Sequence, residues 1–395
     1  MKLIKSVAAV FLLSLTAFAQ TGIPVLGLSP SPFLNGMGGA GVALPTSDPF
    51  VNFANPAQIA ANVHSNGVSA HFYPVKASLS DTGTVDLRAS AATVGYRIPL
   101  RTNQTGFRIA IGYLNTDLDL GTQIIRDLEG NIVRTTIASE YYYSFSLAFA
   151  VEYKVLVGFG VTYKWVTSER GFIPRADGTF ARLREDRGVF DYGVIAALPV
   201  YDLLFEPGRN FKPFLGISGG FSKTNIGDDV TYNGEIDPLP LPKTTRLGYA
   251  VTGGLNMKMR DYDLNLIRAD WTAESLDPVT GPEPGSTSGL PFSGYFSGTH
   301  DFVATKSIRA YHIRLLETVS YQHGTYQTVG AGEKASYGFG ITSTGVFKLI
   351  RPRYTRNLLS FIFEQIELGY YQSWYYASSG PENRYYGVNI RVGGF

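Results

Sequence analysis

The chain has 395 residues, of which 44% are hydrophobic and only 17% are charged. This hydrophobic fraction excludes a disordered chain, and a formal net charge of +2 excludes a strongly basic nucleic-acid-binding protein. Cysteine is absent, which excludes disulfides, thiolate metal sites, thiol catalysis and a lipoprotein anchor. The 44 glycines, 25 tyrosines and 25 phenylalanines favour a large all-β protein, because aromatic residues prefer strands and glycines mark turns or tightly packed strands.

The N-terminus has the features of a secretory signal peptide. Lys2 and Lys5 form a short positive region, residues 7–18 are mostly apolar, and Ala17-Phe18-Ala19 is a small-x-small cleavage site. We therefore predict a signal peptide at residues 1–19, with a buried hydrophobic helix as the alternative. Loss of the two lysines leaves equal numbers of basic and acidic residues, so the mature chain is neutral.

Residues 20–66 do not alternate and contain a glycine-rich run followed by an Asn-Pro-Ala triplet. The run matches G-x-G-x-x-G, but a dinucleotide-binding fold needs a strand before it and a helix after it, and neither is predicted here. We expect no cofactor, and we interpret the segment as a plug, or hatch. Its characteristic residues are Gly36, Gly38, Gly39, Gly41, Asp48, Asn55, Pro56 and Ala57.

Residues 141–154 alternate strictly between a large apolar face and a small or polar face. This period of two indicates a strand, and its length suits a tilted crossing of a bilayer. The apolar face carries tyrosine at both ends, as expected where an outer-membrane strand meets the two interfaces. A soluble sandwich strand is the alternative for this stretch alone, but the pattern recurs along most of the chain.

The recurring pattern predicts an outer-membrane antiparallel β-barrel over residues 67–395. Barrels of this kind have an even number of strands, so we expect fourteen and leave one strand unplaced between residues 292 and 334. The thirteen predicted strands span 67–73, 85–99, 106–117, 140–153, 155–168, 188–200, 212–223, 245–258, 262–273, 306–321, 334–349, 359–376 and 384–393.

A periplasmic N-terminus sorts the long connections to the cell surface and the short ones to the periplasm, as is typical of such barrels. The predicted outer loops are 74–84, 118–139, 169–187, 224–244 and residues from 274 onward. An aromatic girdle is expected at the interfaces, formed by Tyr141, Tyr143, Tyr153, Tyr370, Trp374, Tyr376 and Tyr386.

Four charged residues fall on the small face of different strands: Arg108, Lys164, Asp191 and Arg246. We interpret them as lumen-facing charges that fill the barrel rather than as an active site. No pair of histidines has a zinc-binding spacing. The G-x-S-x-G match at 216–220 lies within a strand pattern rather than at a strand-to-helix turn. We therefore expect neither a metal site nor enzymatic activity.

The sequence GMGGAGVA, followed by Asp48 and by Asn55-Pro56-Ala57, resembles the N-terminal signature of the PorV/PorQ group within the FadL-like (OMPP1/FadL/TodX) outer-membrane barrel superfamily. The resemblance covers about residues 33–60. It implies a fourteen-stranded barrel with a hatch, which is inserted by the barrel-assembly machinery and surrounded by outer-membrane lipid.

Three functions remain open. The PorV-like interpretation implies a type IX secretion component that binds the signal domains of cargo proteins. The FadL-like interpretation implies uptake of hydrophobic small molecules through a lateral opening, and predicts an apolar cavity behind the hatch. The third is an anchor for a surface complex.

Overall fold

The computed structural model describes residues 22–63, 67–79, 85–100, 105–126, 132–174, 179–201, 210–232, 238–259, 262–279, 306–328, 333–350, 366–376 and 382–393. The predicted signal peptide at 1–19 lies outside the described residues. Within them, no helix is both long and apolar enough to cross a membrane.

Fourteen antiparallel strands close into one barrel, in which each strand pairs with its neighbours in the sequence and β1 pairs with β14. The strand number confirms the expectation from the sequence. The strands are β1 Gly67–Ser78, β2 Asp86–Leu100, β3 Thr105–Arg126, β4 Ile132–Tyr153, β5 Val155–Pro174, β6 Phe180–Leu198, β7 Phe211–Ile226, β8 Lys243–Met259, β9 Tyr262–Val279, β10 Lys306–Leu315, β11 Val319–Thr328, β12 Lys334–Thr342, β13 Ile366–Tyr376 and β14 Glu382–Gly393.

The unplaced strand is β11. The predicted strand 306–321 is in fact two strands, because the chain reverses at Leu316–Thr318. It contains all of β10, the turn and the first residues of β11. Leu316 and Glu317 both adopt the left-handed region, with φ of 50° and 51°. Tight hairpins usually place Gly or Asn at such positions. The turn therefore has none of the residues that would mark it in the sequence.

The predicted strand 334–349 is wrong in its second half. Strand β12 ends at Thr342, and a short helix, Thr344–Ile350, follows it. Gly345 of this helix packs directly beneath the β10–β11 turn, where an added Cβ would lie 1.6 Å from the Leu316 carbonyl oxygen. Residues 359–365 of the next predicted strand lie outside the described residues.

The predicted outer loops 118–139 and 169–187 are largely strand, because β3, β4, β5 and β6 extend well beyond their predicted ends. Each long hairpin contains a register shift, at Asp119/Gly121 and at Glu169/Gly171. Both glycines have positive φ, 84° and 96°. A bulge inserts one extra residue and so reverses the alternation, which ends the period-two signal although the strand continues. Asp119, which falls in the predicted loop 118–139, therefore lies in β3.

The outside of the barrel carries an apolar belt. On β4 the outward side chains from Tyr143 to Tyr153 are all exposed, and Tyr153 is 65% exposed at the lower end. This span matches the 9 to 11 residues that a tilted strand needs to cross a bilayer, at about 3.3 Å per residue. Neighbouring strands contribute Val94, Tyr96, Ile98, Ile111, Val157, Phe159, Tyr163, Trp165, Ile217, Tyr249 and Trp271.

The even strand number places both ends of the barrel, Gly67 and Gly393, at one rim, which we call the lower rim. The tight turns at Lys154 and Leu316–Thr318 lie at the same rim. The long connection 227–242 lies at the opposite, upper rim. In outer-membrane barrels the short turns face the periplasm. By that rule the upper rim faces the cell exterior.

Candidate functional site

Residues 22–63 run through the inside of the barrel as a series of short turns and helices: the 3₁₀ turns Pro24–Gly27 and Pro49–Phe53, and the helices α1 Pro32–Gly36 and α2 Gln58–Ala61. We call this segment the hatch. Its apolar side chains are almost fully buried, including Leu26, Leu34 and Phe50. A segment of this length has no core of its own, so the barrel wall provides the surface against which it packs.

Asp48 and Ser31 fix two turns of the hatch. Ser31 Oγ accepts a hydrogen bond from the Leu34 N–H at the start of α1, and Asp48 Oδ1 accepts one from the Phe50 N–H. The Ser31 hydroxyl also donates to Asp48 Oδ2, which joins the two turns. Burial raises the pKa of the Asp48 carboxyl to about 6, and these hydrogen bonds only partly oppose the shift.

The glycine-rich turn is held by an ion pair of the barrel wall. Gly38 and Gly39 have φ of 69° and 89°, a conformation that favours glycine. The backbone N–H groups of Gly41 and Val42 donate to Glu274 Oε2 at 2.8 and 3.1 Å. The Glu274 carboxylate thus accepts from the backbone N–H groups that a bound phosphate would need as donors in a nucleotide-binding glycine-rich loop.

The predicted lumen residue Arg246 completes this contact. Its Nη1 donates to the Gly39 carbonyl oxygen and to Glu274 Oε1, both at 3.0 Å. Glu274 was missed because the sequence places it at the start of a predicted loop, whereas β9 continues to Val279. The pair neutralises two buried charges and also fixes the turn.

The Asn-Pro-Ala triplet joins the hatch to β6. Asn55 Nδ2 donates to the carbonyl oxygens of Val42 (2.7 Å) and Val194 (2.9 Å). Its Oδ1 accepts a hydrogen bond of 3.1 Å from the Ala57 N–H, which closes a tight turn around Pro56. In this arrangement Asn55 uses its amide to build and dock the hatch.

Inward-facing glycines of the wall leave room for the hatch. An added Cβ on Gly160 would lie 2.4 Å from the Pro56 carbonyl carbon, and one on Gly193 would lie 2.1 Å from Asn55 Oδ1. An added Cβ on Gly220 would lie 2.0 Å from the Val42 carbonyl oxygen, and one on Gly324 would lie 2.3 Å from the Met37 carbonyl carbon. The sequence does show these glycines on the small face of their strands, but nothing in it says what they contact.

The other predicted lumen charges are also buried in ion pairs. Arg108 binds Glu152 at 2.8 Å and donates to the Ala61 carbonyl oxygen at the end of α2 (2.7 Å). Lys164 and Asp191 lie 2.7 Å apart. Arg108 therefore holds the second helix of the hatch, as Arg246 holds its glycine-rich turn.

The predicted girdle residues occupy different surroundings. Tyr143, Tyr153, Tyr370 and Tyr386 are exposed on the outside of the barrel, whereas Tyr141 and Trp374 are half-buried. Tyr376 lies at the upper end of β13.

Apolar side chains cluster in the upper half of the lumen, beside the buried polar groups of Glu140, Ser168 and Thr116, and we call this space the upper chamber. They form one buried cluster with the first residues of the hatch. The wall contributes Tyr73, Val75, Ala77, Leu87, Ala89, Ala91, Leu114, Leu118, Tyr142, Val166, Leu183, Val189 and Tyr385.

Two segments fill the upper chamber, and together we call them the lid: residues 22–28 of the hatch, and the described parts of the 227–242 connection. They contribute Ile23, Val25, Leu26, Val230, Tyr232 and Leu241.

A few polar contacts hold the lid. The Gly22 N–H donates to the Pro240 carbonyl oxygen (2.8 Å), and the Tyr232 hydroxyl donates to the Gly22 carbonyl oxygen (2.6 Å). The Val25 N–H donates to Glu140 Oε2 of β4 (2.9 Å), and Arg170 pairs with the same carboxylate.

Near the lower rim a polar cavity of about 40 Å³ lies between hatch and wall. Asp270 accepts hydrogen bonds there from His312 Nδ1 (2.8 Å) and Arg268 Nε (2.9 Å), and Asp48 and Tyr73 complete part of the lining. A space of this size holds only water-sized molecules. No cluster of three potential metal ligands occurs among the residues that the structure describes.

The fold, the apolar belt and the internal hatch together define a β-barrel of the outer-membrane type. No protein-family model matches the chain, and no curated protein matches it.

Solved structures of similar fold include the CymD monoaromatic hydrocarbon channel, with 9% identity, a TM-score of 0.43, and coverage of 95% of this chain and 100% of that one. The toluene transporter TodX of Pseudomonas putida has 9% identity, a TM-score of 0.41, and coverage of 92% and 96%. A FadL homologue of Pseudomonas aeruginosa has 11% identity, a TM-score of 0.39, and coverage of 92% and 98%. At these identities the likeness concerns the fold alone. The fourteen-stranded barrel expected from the resemblance is present, whereas the PorV/PorQ part stays a prediction.

Proposed function

We propose that the protein is an outer-membrane channel for small hydrophobic molecules, with the upper chamber as its binding compartment. The observation that carries this proposal is the large cluster of apolar side chains on the inner wall of the upper half of the barrel. The lumen of a water-filled porin is polar, because its side chains face water. An apolar lining instead favours apolar ligands, at roughly 25 cal/mol for each Å² removed from water.

Because the lid fills the upper chamber, a ligand can bind there only by taking the place of lid side chains. Ile23, Val25 and Leu26 cover the apolar wall, so a hydrophobic ligand that displaces them replaces one apolar contact with another. The polar contacts of Gly22 and Val25 are the interactions that the exchange must break. The lid therefore determines how readily the chamber opens.

An exit that avoids the hatch is available at the seam between β6 and β7. The two strands pair only over Phe190–Leu198, with a register shift between Phe190 and Tyr192. Among the described residues, Phe180–Val189 of β6 have no partner on β7. The outward side chains of this stretch, Arg182, Arg184 and Asp186, are charged, so it stands above the apolar belt. A ligand leaving the upper chamber here would emerge at the upper surface of the membrane.

A transport measurement with two matched variants tests the proposal. Leu118 lines the chamber, whereas its neighbour Asp117 points outward from the same strand. Leu118→Gln should lower the uptake of a radiolabelled monoaromatic hydrocarbon by at least about tenfold, since a buried amide without partners costs 1–3 kcal/mol. Asp117→Asn should leave uptake unchanged. Equal uptake by wild type, Leu118→Gln and a strain lacking the protein would exclude the channel function.

The second candidate is the PorV-like role in type IX secretion, and the sealed lower lumen favours it. Wall ion pairs and wall glycines fix the hatch, an arrangement that suits a membrane-embedded receptor as well as a channel. Pull-downs with type IX cargo signal domains, compared with the secretome of a deletion strain, test this role. Cargo capture together with lost surface attachment would support it, and normal secretion without capture would reject it.

Both candidates place the chain in the outer membrane after signal-peptide-dependent export, with lipid around the belt and the barrel-assembly machinery as the insertion partner. Membrane fractionation and N-terminal sequencing of the mature protein test this placement. Recovery in the outer-membrane fraction with an N-terminus at Gln20 is the expected result. An inner-membrane location or an intact N-terminus would contradict it.

A further inference from the structure

Lys164, Asp191 and Asn225 form a buried triad on the adjacent strands β5, β6 and β7. Lys164 Nζ lies 2.7 Å from Asp191 Oδ2 and donates a hydrogen bond of 2.7 Å to Asn225 Oδ1. Asp191 Oδ1 accepts a hydrogen bond of 2.7 Å from the backbone N–H of Asn225. Each of the three residues is at most 2% exposed. The Asp191 carboxylate therefore contacts both the amine of Lys164 and the backbone of Asn225, whose side chain is a carboxamide.

The contact between lysine and aspartate is a close ion pair rather than an aligned hydrogen bond. Asp191 Oδ2 has no hydrogen-bond partner of good geometry, although Lys164 Nζ is 2.7 Å away. The aligned N–H of the amine points instead at Asn225. The amine is thus directed towards the carboxamide, and the carboxylate oxygen beside it is free to accept a proton.

The surroundings of the triad are dry and aromatic. Lys164 Nζ lies 5.7 Å from the centroid of the Phe53 ring and 5.8 Å from that of Tyr142. The Asp191 carboxylate is the group in contact with the amine that can accept its proton during a reaction. The transfer produces a neutral amine, which is a nucleophile.

The carboxamide is fixed in place. Asn225 adopts a left-handed backbone conformation with φ of 59°, and its Nδ2 donates to the carbonyl oxygens of Leu26 (3.1 Å) and Pro242 (2.9 Å). A carbonyl bond of about 1.23 Å beyond a 2.7 Å contact places Lys164 Nζ no more than about 3.9 Å from Asn225 Cγ. Reaction requires the two atoms at about 3–3.5 Å with the lone pair of the amine directed at Cγ, so the amine must first release the amide oxygen and turn towards the carbon.

We propose that Lys164 and Asn225 join in an intramolecular isopeptide bond, with Asp191 as the acid–base group. A new bond forms between Lys164 Nζ and Asn225 Cγ, and the bond between Cγ and Nδ2 breaks. The ammonium group of Lys164 gives up two protons. One passes through Asp191 to the departing nitrogen, which leaves as ammonia, and the other remains on Asp191. The reaction consumes no oxidant, metal or cofactor.

The bond would connect β5 to β7 across β6, in the inner wall beside the upper seam. It would join three neighbouring strands covalently at the level of Leu26 and Pro242, which Asn225 contacts. This inference is independent of what the barrel carries, because it concerns only groups that the folded wall brings together.

Intact mass spectrometry during refolding provides the test. Full-length protein purified under denaturing conditions should have its sequence mass, and the refolded barrel in detergent should be lighter by about 17 Da, the mass of one ammonia. Trypsin should then fail to cleave after Lys164 and should yield a branched peptide that contains both Lys164 and Asn225. An unchanged mass after refolding, with separate peptides for the two residues, would refute the proposal.

Four variants separate the chemistry from folding. Lys164→Arg and Asp191→Asn should retain their full sequence mass, whereas Lys212→Gln, at a half-buried lysine of β7, should lose ammonia as the wild type does. Asn225→Asp should lose about 18 Da as water and reach the same final mass as the wild type, since a carboxyl group condenses to the same amide. Heat-dependent migration on gels verifies that each variant is folded. Loss of ammonia by folded Asp191→Asn would overturn the role of Asp191.

Discussion

At the scale of single residues, the buried charges of the lumen act on backbone groups of the hatch as well as on each other. Glu274 accepts two hatch N–H groups, and Arg246 donates to a hatch carbonyl oxygen. The sequence identifies Arg246 from its position on the small face of a strand. It cannot identify its partner, because a partner on the next strand is set by register and not by spacing along the chain.

Replacing Glu274 tests this contact. Glu274→Gln keeps the shape of the side chain but leaves the Arg246 guanidinium buried without a countercharge. We expect a loss of about 3 kcal/mol in the free energy of unfolding, the usual cost of breaking a buried pair. Urea unfolding in detergent measures the change. Asp263→Asn, which breaks the exposed pair with Lys212, is the matched control and should cost much less.

Asp48 predicts a pH dependence of the hatch. Burial raises the pKa of its carboxyl from 3.8 to about 6, so the folded state keeps a proton that the unfolded chain releases. This contribution to stability is therefore present below about pH 4 and is lost as the pH rises through 6, by roughly 3 kcal/mol in total. Melting temperatures between pH 4 and 7 should fall less for Asp48→Asn than for the wild type. Identical slopes for both proteins would contradict the assignment.

At the scale of elements, the sequence predicts those parts of strands in which one face meets lipid and the other meets the lumen. It fails where a bulge reverses the alternation, at Gly121 and Gly171, because a local count of period two cannot continue past an inserted residue. It also fails at Leu316–Thr318, where a turn forms without turn residues. These failures concern strand ends and one missing strand, and the antiparallel barrel itself is confirmed.

The wall glycines give a prediction at this scale. Gly193→Ala would place a Cβ 2.1 Å from Asn55 Oδ1 and force the Asn-Pro-Ala turn away from β6. We expect a loss of about 1–3 kcal/mol in stability, as for overpacked cores. Gly219→Ala in β7 is the control, because its nearest neighbour would be 3.9 Å away. Limited proteolysis and urea unfolding report the displacement. Equal stability of the two variants would show that the hatch does not need this close approach.

At the scale of the whole molecule, hatch and barrel depend on each other. The hatch has no core without the wall, and among the described residues the wall has buried charges and inward glycines against which the hatch packs. The sequence distinguishes the two parts by the loss of alternation before residue 67. It cannot show how they fit, because that fit joins residues that are 300 or more positions apart, such as Gly36 and Ser336.

Deleting residues 22–63 should therefore convert a closed barrel into an open one. In planar bilayers the wild type is expected to show little ion conductance, and the deletion variant to show large, steady channels with a lower melting temperature. Refolded material that shows the heat-dependent gel shift of a barrel verifies that the variant is folded. Large conductance of the wild type, or a silent but folded deletion variant, would contradict a lumen sealed by the hatch.

The unequal lengths of the strands make the upper rim higher on one side of the barrel than on the other. Strands β3 to β6 have 19 to 22 residues, whereas β10 to β14 on the other side of the barrel have 9 to 12. With all lower ends at one level, the long wall stands roughly 25 Å higher than the short one, at about 3.3 Å per residue and a strand tilt near 40°. The described rim is therefore cut obliquely. On its high side the described rim is a wall of paired strands, so a molecule that approaches the upper chamber from that side would meet a rigid sheet.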